Sequence, residues 1–394
     1  MAAAAAPPVL PASAAPVRTP GYYVRQRLLA NGPAMAGLAF IVLCTGLALL
    51  GYLILPDPTP NANDGLVQLQ KQPPGTAVTI LHRPLAQGRG AEPSVLQRWW
   101  GGAPARSQAV AIAGYRIVGD TLRVQPYRVK GALAEPELRL ALPEATGRPG
   151  SAAELQRLVE QEHIEQRTYW LGTDKAGRDV LSRLLLGTRI SLGIGLVAVL
   201  ISLLIGVTVG AVAGYAGGWL DSLLLGLMTV VWSIPGIMLV IAISLAFGSK
   251  GVWTSFVAVG LTMWVDVARV VRGQMLSLRE KTFVEAGRVL GLPTARLLAR
   301  HLLPNLLGPL IVIATSNFAA AILLEAGLSF LGLGVQPPAP SWGLMVKEGY
   351  DLLGTRAGLW LTLLPSTAIS LLVLSFNLLG NGLRDAYDPK TPLG

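Results

Sequence analysis

The run ISLGIGLVAVLISLLIGVTVGAVAGY, from Ile190 to Tyr215, decides the fold class of this chain. It contains no charged residue and is long enough to cross the hydrocarbon core of a bilayer, which takes about 20 mostly apolar residues. Glycines recur at every fourth position in its second half and just beyond it, so they share one helix face and predict close helix packing. They are Gly206, Gly210, Gly214 and Gly218.

Five further stretches of the 394-residue chain have the same apolar character. Charged residues make up only 14% of the chain, against about 25% in an ordinary soluble domain. We therefore predict an all-α polytopic membrane protein with six transmembrane helices, and we exclude a disordered chain or a single soluble globule. The other five spans are expected at about 34–55, 223–247, 252–271, 307–333 and 359–383.

Residues 56–170 differ from the rest and predict an α+β extracytoplasmic insertion between the first two helices. The pair Gly119–Asp120 separates two strand-like runs and indicates a hairpin turn. Ser151 and Glu154 form a capping-box pattern, which predicts a helix from Ser151 to Gln166. The strand-like runs lie at 76–82, 110–118, 120–130 and 137–142.

Two histidines and a tryptophan pair in the insertion can each be interpreted either as structural residues or as functional ones. His82 and His163 are isolated in the sequence, so we interpret both as surface residues and not as metal ligands. The pair Trp99–Trp100 is either a docking patch or part of the core.

Basic residues set the predicted orientation, because cytoplasmic loops carry an excess of Lys and Arg. A cytoplasmic N-terminus places most short basic segments inside, and the formal net charge of +10 is then explained by these loops and the insertion instead of by nucleic acid. Both termini are predicted to be cytoplasmic. The expected organisation is a tail at 1–33, a first span at 34–55, the insertion at 56–170, a helical membrane domain at 171–384 and a tail at 385–394.

The segment EAGRVLGLPTARLLARHLLPN, residues 285–305, predicts two short helices with a sharp break, inside a cytoplasmic loop at 279–305. Gly291 suits the left-handed position that ends a helix, and Pro293 suits the first turn of the next one. Pro304 is expected to stop that second helix before the fifth span. Taken alone, the segment is equally consistent with an amphipathic connector that lies on lipid headgroups.

This spacing resembles the EAA loop of importer permeases of the ATP-binding cassette class, with Gly287 where the family has Ala and the surface expected to stay flat. Three other motifs occur in order: LGTDKAGRDVLSR at 171–183, LSFLGLGVQPP at 328–338 and NGLRDAYDP at 381–389. Together they resemble the second permease subunit of the oligopeptide/dipeptide/nickel importer family. The resemblance is clearest over 169–389 and leaves the insertion out.

The resemblance implies a type I importer permease that forms half of a pathway for peptides or similar small solutes across the bacterial inner membrane. It implies four kinds of neighbour: membrane lipid, a second homologous permease, two ATP-binding cassette ATPase subunits and an extracytoplasmic solute-binding protein. ATP and Mg would be bound by the ATPase subunits, and this chain would bind no cofactor. The coupling residues implied are Glu285, Ala286, Gly287, Arg288, Gly291, Leu303 and Pro304.

The sequence predicts no catalytic or metal site. It contains no G-x-x-x-x-G-K-[ST] run for phosphates and no H-E-x-x-H pair. Its histidines are His82, His163 and His301, which fall in different parts of the chain, and its single cysteine, Cys44, excludes a cysteine metal cluster. We therefore predict a transporter subunit and not an enzyme, with no nucleic-acid partner.

Polar residues within the spans are the candidates for pathway or gating roles, because a charge in a span usually faces a bundle interior or a wet cavity. Glu325 is either a structural or gating group or a substrate contact, and Asn317 lies on nearly the same face. Pro235 is expected to kink the third span, as a hinge or as a static bend. Asp266 and Arg269 are expected to pair locally.

Two other functional classes remain open on the residues alone. A stand-alone secondary transporter or channel would favour inverted repeats with broken helices, and the two halves show no convincing repeat. A membrane anchor whose insertion binds a partner, without transport, is the other alternative.

Overall fold

The computed structural model describes residues 20–85, 94–105, 107–128, 136–248 and 251–388. Most of the predicted N-terminal tail, the end of the C-terminal tail and part of the short link between the third and fourth predicted spans lie outside these residues. The helices are α1 (Pro20–Ala30), α2 (Gly32–Leu50), α3 (Val95–Gly101), α4 (Leu142–Thr146), α5 (Ala152–Leu158), α6 (Val180–Ala216), α7 (Gly218–Trp232), α8 (Gly236–Ala246), α9 (Val252–Thr262), α10 (Trp264–Leu278), α11 (Thr282–Val289), α12 (Thr294–Leu297), α13 (Leu307–Phe330), α14 (Trp342–Tyr350) and α15 (Arg356–Tyr387).

Five strands form one antiparallel sheet in the insertion: β1 (Thr76–Pro84), β2 (Ser107–Val118), β3 (Thr121–Pro126), β4 (Leu138–Ala141) and β5 (Ile164–Tyr169). Their order in the sheet is β4-β3-β2-β1-β5. The hairpin predicted at Gly119–Asp120 joins β2 to β3, and Gly119 has the positive φ of 58° that the turn requires. One sheet face packs on α4 and α5, and the other packs on Leu66 and Leu69 from the chain before β1.

The long helix expected from Ser151 to Gln166 is wrong in its second half. Ser151 does cap α5, accepting a hydrogen bond from the Glu154 amide at 3.4 Å. The helix ends at Leu158, and a π-helical turn over Val159–His163 leads into β5. Residues 164–169 pair with β1, because an open edge of β1 offers a full set of backbone partners that local helix propensity cannot match.

Five helical segments in the described part of the chain are long and apolar enough to cross a bilayer, and α7 with α8 makes a sixth if the two are counted as one span. This agrees with the six predicted helices in number and in order. The five are Gly32–Leu53, Val180–Ala216, Val252–Leu278, Thr294–Phe330 and Arg356–Tyr387.

The predicted third span is not one continuous helix. α7 and α8 meet at an angle of 92°, with Ser233 to Pro235 between them. Pro235 stands at the N-cap of α8 with φ −53° and ψ 129°. Because proline also disfavours helical geometry in the residue before it, this site separates two helices instead of bending one.

Three of the four regularly spaced glycines bring α6 against α10. A Cβ on Gly206 would lie 2.6 Å from the carbonyl oxygen of Trp264, and one on Gly214 would lie 2.8 Å from that of Arg272. Gly210 meets the Ala268 carbonyl in the same way. Gly218 does not belong to this face: it begins α7 with φ +58° and has open space around it, because α6 ends at Ala216.

Candidate functional site

The loop at 279–305 consists of α11, a sharp turn and α12. Gly291 has φ +71°; its amide donates to the Arg288 carbonyl at 3.0 Å, and the Leu292 amide donates to the Gly287 carbonyl at 3.1 Å. These two bonds form a Schellman motif, which ends α11 and needs a left-handed residue at Gly291. Pro293 follows as the N-cap of α12, so the loop has one defined shape.

The tip of this loop is apolar and exposed, while its base is buried. Val289 and Leu290 are 88% and 79% exposed, which is uncommon for aliphatic side chains beside a helix end. The base packs into the membrane domain through Val284, Leu297 and Leu302. The loop is therefore an anchored knuckle with a surface free to meet another protein.

The sequence suggested that Gly287 keeps the outer surface of the loop flat, but the structure gives it a different role. It is buried, and a Cβ there would lie 3.0 Å from a methyl of Leu297. The glycine therefore lets α11 and α12 fold closely onto each other. Glu285, Ala286 and Arg288 lie on the exposed side of α11.

The expectation that Pro304 stops the second helix is also wrong. After α12 the chain continues through a π-helical turn (Leu298–Leu302) and a 3₁₀ turn (Leu303–Leu306) directly into α13. Pro304 sits in the first turn of the 3₁₀ segment, where its missing amide costs no hydrogen bond. Thr294–Phe330 thus forms one helical path of 37 residues.

Glu325 is buried and is held within the chain. It is 1% exposed, and Ser329 Oγ donates to its Oε1 at 2.6 Å. Ser329 Oγ in turn accepts from the Val335 amide at 3.1 Å and lies 3.5 Å from Ser341 Oγ. The carboxyl group is therefore linked, through the Ser329 hydroxyl, to the segment that leads into α14.

Asn317 does not share this environment, although the sequence placed it near the same face as Glu325. It lines a cavity of about 1210 Å³ that also includes Pro304, Asn305 and Arg384. The Nδ2 of Asn317 is buried and has no hydrogen-bond partner among the described residues. The two residues therefore belong to separate sites.

A second cavity, of about 420 Å³, opens at the break between α7 and α8. Pro235, Thr262 and Asp266 are among the residues that line it. The predicted pairing of Asp266 with Arg269 is wrong: Arg269 donates to Thr229 Oγ1 at 3.4 Å and stacks on Trp232 at 4.4 Å. Asp266 is left exposed near the middle of the span Val252–Leu278.

A buried charged network at the start of α6 was not predicted as a site. Arg178 Nε donates to Asp174 Oδ2 at 2.7 Å, and Arg178 Nη2 donates to Glu348 Oε1 at 3.2 Å. Arg183, which is fully buried, lies 3.4 Å and 3.6 Å from the same two carboxylates. The spacing of Asp174 and Arg178 signals a local pair, but Glu348 lies far along the chain and has no such signal.

The two histidines of the insertion are partly exposed, and both form hydrogen bonds at the sheet. His82 Nε2 lies 2.8 Å from Glu165 Oε2 and its Nδ1 lies 3.0 Å from Ser107 Oγ, while His163 Nδ1 lies 2.7 Å from the His82 carbonyl oxygen. The hydrogen bond from His82, helped by one from Arg167, lowers the pKa of Glu165 to about 2. Among the described residues no group of His, Cys, Asp and Glu could hold a metal ion.

Several helices long and apolar enough to cross a bilayer, packed beside an anchored loop with an exposed apolar tip, define a polytopic membrane protein. Residues 206–392 match the family of binding-protein-dependent transport system inner membrane components. The insertion lies outside that match.

Curated relatives agree with this class. The chain is 47% identical over 222 residues to the oligopeptide transport system permease protein OppC of Salmonella typhimurium, covering 56% of this chain and 72% of that protein. It is 43% identical over 235 residues to the dipeptide transport system permease protein DppC of Bacillus subtilis, covering 60% and 73%. A solved structure of the MetNI methionine ABC transporter covers 53% of this chain and 97% of its own, with 20% identity and a TM-score of 0.44.

The chain therefore belongs to the oligopeptide/dipeptide permease family of binding-protein-dependent ABC transporters. It is a membrane permease subunit and not an enzyme. This removes the two alternatives, a secondary transporter and an anchor without transport, that the residues alone left open.

Proposed function

We propose that this chain forms one half of a peptide-import pathway and couples it to ATP hydrolysis in partner subunits. The observation that carries the proposal is the knuckle, whose base is buried by Val284 and Leu297 and whose tip exposes Val289 and Leu290. The partners we infer are a second homologous permease, two ATP-binding cassette ATPases and an extracytoplasmic solute-binding protein. Peptide is the proposed cargo because the relatives carry oligopeptide and dipeptide in their names.

The knuckle is built to transmit movement. The Schellman bonds at Gly291 fix the angle between α11 and α12, and the helical path from Thr294 to Phe330 has no extended residue in it. A displacement of the loop by an ATPase would therefore move α13 as well. Glu325, buried on α13, would act in this scheme as a structural tie and not as a peptide contact.

The orientation that fits this scheme puts the knuckle and both termini in the cytoplasm. Arg279, Lys281, Arg288, Arg296 and Arg300 then lie on the inner side, as the distribution of basic residues in membrane proteins favours. The insertion then lies outside, at the mouth of the pathway, where a solute-binding protein would dock.

The pathway itself is proposed to run along the cavity between α7 and α8. Asp266 supports this placement, because an exposed carboxylate near the middle of a span is expensive unless it faces water or a partner. The cavity is bounded by the break at Pro235. A negative charge there would attract the α-ammonium group of an entering peptide.

The decisive experiment compares two charge reversals near the knuckle. Glu285→Lys changes an exposed residue of α11, and we expect loss of peptide-stimulated ATP hydrolysis in the purified, reconstituted transporter. Glu280→Lys changes an exposed residue just before α11 and serves as the matched control, with hydrolysis retained. Hydrolysis retained in full by Glu285→Lys, at equal amounts of assembled protein, would show that this face of α11 is not the coupling site.

A further inference from the structure

Helix α3 of the insertion has an apolar face that no other part of the described chain covers. Residues advance about 100° along a helix, so Val95, Leu96 and Trp100 share one side with Trp99, while Arg98 lies on the other. Val95, Leu96 and Trp100 are 75%, 71% and 72% exposed. Three adjacent large apolar side chains this exposed are unusual on a surface in contact with water.

The position of α3 is fixed at the end of the first span. Trp99 Nε1 donates to the carbonyl oxygen of Leu49, in the last turn of α2. Beyond the helix, the Ala103 amide donates to the Pro58 carbonyl at 2.8 Å. The helix therefore lies beside the point where the chain leaves the membrane.

Arg189 of α6 holds α3 in this position through hydrogen bonds to α2 and to α3. Its Nε donates to the Ala48 carbonyl at 3.0 Å, and its Nη1 and Nη2 donate to the carbonyls of Trp100 and Trp99 at 3.1 Å and 3.2 Å. The guanidinium also lies 5.6 Å from the centre of the Trp100 ring. One side chain thus joins the first span, the second span and the C-terminal end of α3.

The apolar face of α3 continues the exposed apolar surface at the end of the first span. Leu49, Leu50 and Leu53 at the end of the first span are 58%, 48% and 55% exposed, on a segment that is long and apolar enough to span a bilayer. Tryptophan is enriched at this depth because its ring is apolar and its N–H is polar. An amphipathic helix held at such a level lies in the plane of the headgroup boundary.

We infer that α3 is an interfacial membrane anchor, with Val95, Leu96 and Trp100 inserted in the lipid leaflet on the side of the insertion. Arg98, on the polar side, is then placed to meet lipid phosphate. The anchor would hold the sheet of the insertion at a fixed height beside the pathway. This role is separate from transport and does not rest on the identity of the cargo.

Spin labels on single cysteines test this inference. In a Cys44→Ser background, Leu96→Cys is labelled with a nitroxide in the full chain, assembled with its partners in lipid nanodiscs. We expect its relaxation to be increased more by oxygen, which partitions into lipid, than by a water-soluble nickel complex. Ala153→Cys on α5, an exposed site on a helix of the same seven-residue length, is the control and should show the reverse order.

Two outcomes would overturn the inference. A label at residue 96 that responds mainly to the nickel complex would place α3 in water. A label shielded from both oxygen and nickel would show that a protein partner, and not lipid, covers the face. Trp100→Cys gives a second, independent site for the same measurement.

Discussion

Helix pair α6–α10 and helix pair α7–α8 bury their surfaces in opposite ways. Along α6, Gly206, Gly210 and Gly214 bring the backbone directly against α10. In the other pair, Met228, Val240 and Ser244 are the buried residues. Large side chains of that pair such as Trp219, Leu223, Val230, Met238 and Leu245 stay exposed.

The difference between the two pairs shows which helix–helix contacts are complete within this chain. Lipid chains are as apolar as leucine, so helices associate in a membrane through close packing and polar contacts and not through burial alone. The α6–α10 pair has that packing already. The α7–α8 pair lacks it, which agrees with the proposal that its open face and its cavity at Pro235 meet the second permease and the cargo.

The largest effect is expected at the charged network that fixes the start of α6. Arg183→Ala should destabilise the chain by about 3–5 kcal/mol, because it leaves the carboxylates of Asp174 and Glu348 buried with one arginine fewer. Thermal unfolding in detergent measures this. Lys175→Ala removes a partly exposed cation, 3.5 Å from Glu348, and should cost less than about 1 kcal/mol; similar losses for both variants would show that burial does not decide the cost.

A smaller effect is expected when one methyl group is added to each helix pair, α6–α10 and α7–α8. This is the most direct test of the comparison between the two pairs. Gly210→Ala places a Cβ against the Ala268 carbonyl, and overpacking of this kind costs about 1–3 kcal/mol. Gly226→Ala on α7 has nothing within 4 Å and should be neutral or stabilising by up to about 1 kcal/mol through helix propensity. If Gly226→Ala destabilises the assembled transporter as much as Gly210→Ala does, the α7–α8 face is closely covered by a partner.

The smallest effect on stability is expected at Asp266. Asp266→Asn should change the free energy of unfolding by less than about 0.5 kcal/mol, since the residue is exposed, while uptake of a labelled peptide with a free α-ammonium group falls. Asp266→Glu keeps the charge and should retain uptake. Full uptake by the Asn variant would remove Asp266 from the proposed pathway.

Much of the fold could be predicted because its signals are local. An uncharged run such as Ile190–Tyr215 has few structures available to it in a bilayer, and the hairpin at Gly119 and the helix end at Gly291 each follow from a short sequence pattern. The four-motif resemblance placed the chain in its family. These features depend on residues that are close together in the sequence.

What could not be predicted depends on contacts between distant residues. β5 replaces the end of a predicted helix because β1 offers it an edge, and Arg269 turns from Asp266 to Thr229 and Trp232 because α7 lies beside it. Glu348 joins Asp174 only through the folded chain. Gly287 faces inward because Leu297 packs against it, and this contact exists only in the folded chain.

The uninterrupted helical path from Thr294 to Phe330 has a consequence for how the sequence can change. In an α-helix each residue turns the chain by about 100° and advances it about 1.5 Å. Because no extended residue interrupts this path, the orientation of Glu325 relative to Leu297, at the base of the knuckle, is set by the number of residues between them. A single residue added or lost near Pro304 would rotate α13, and with it Glu325 and Ser329, by about 100° relative to the base of the knuckle. The length of this segment is therefore as constrained as its composition.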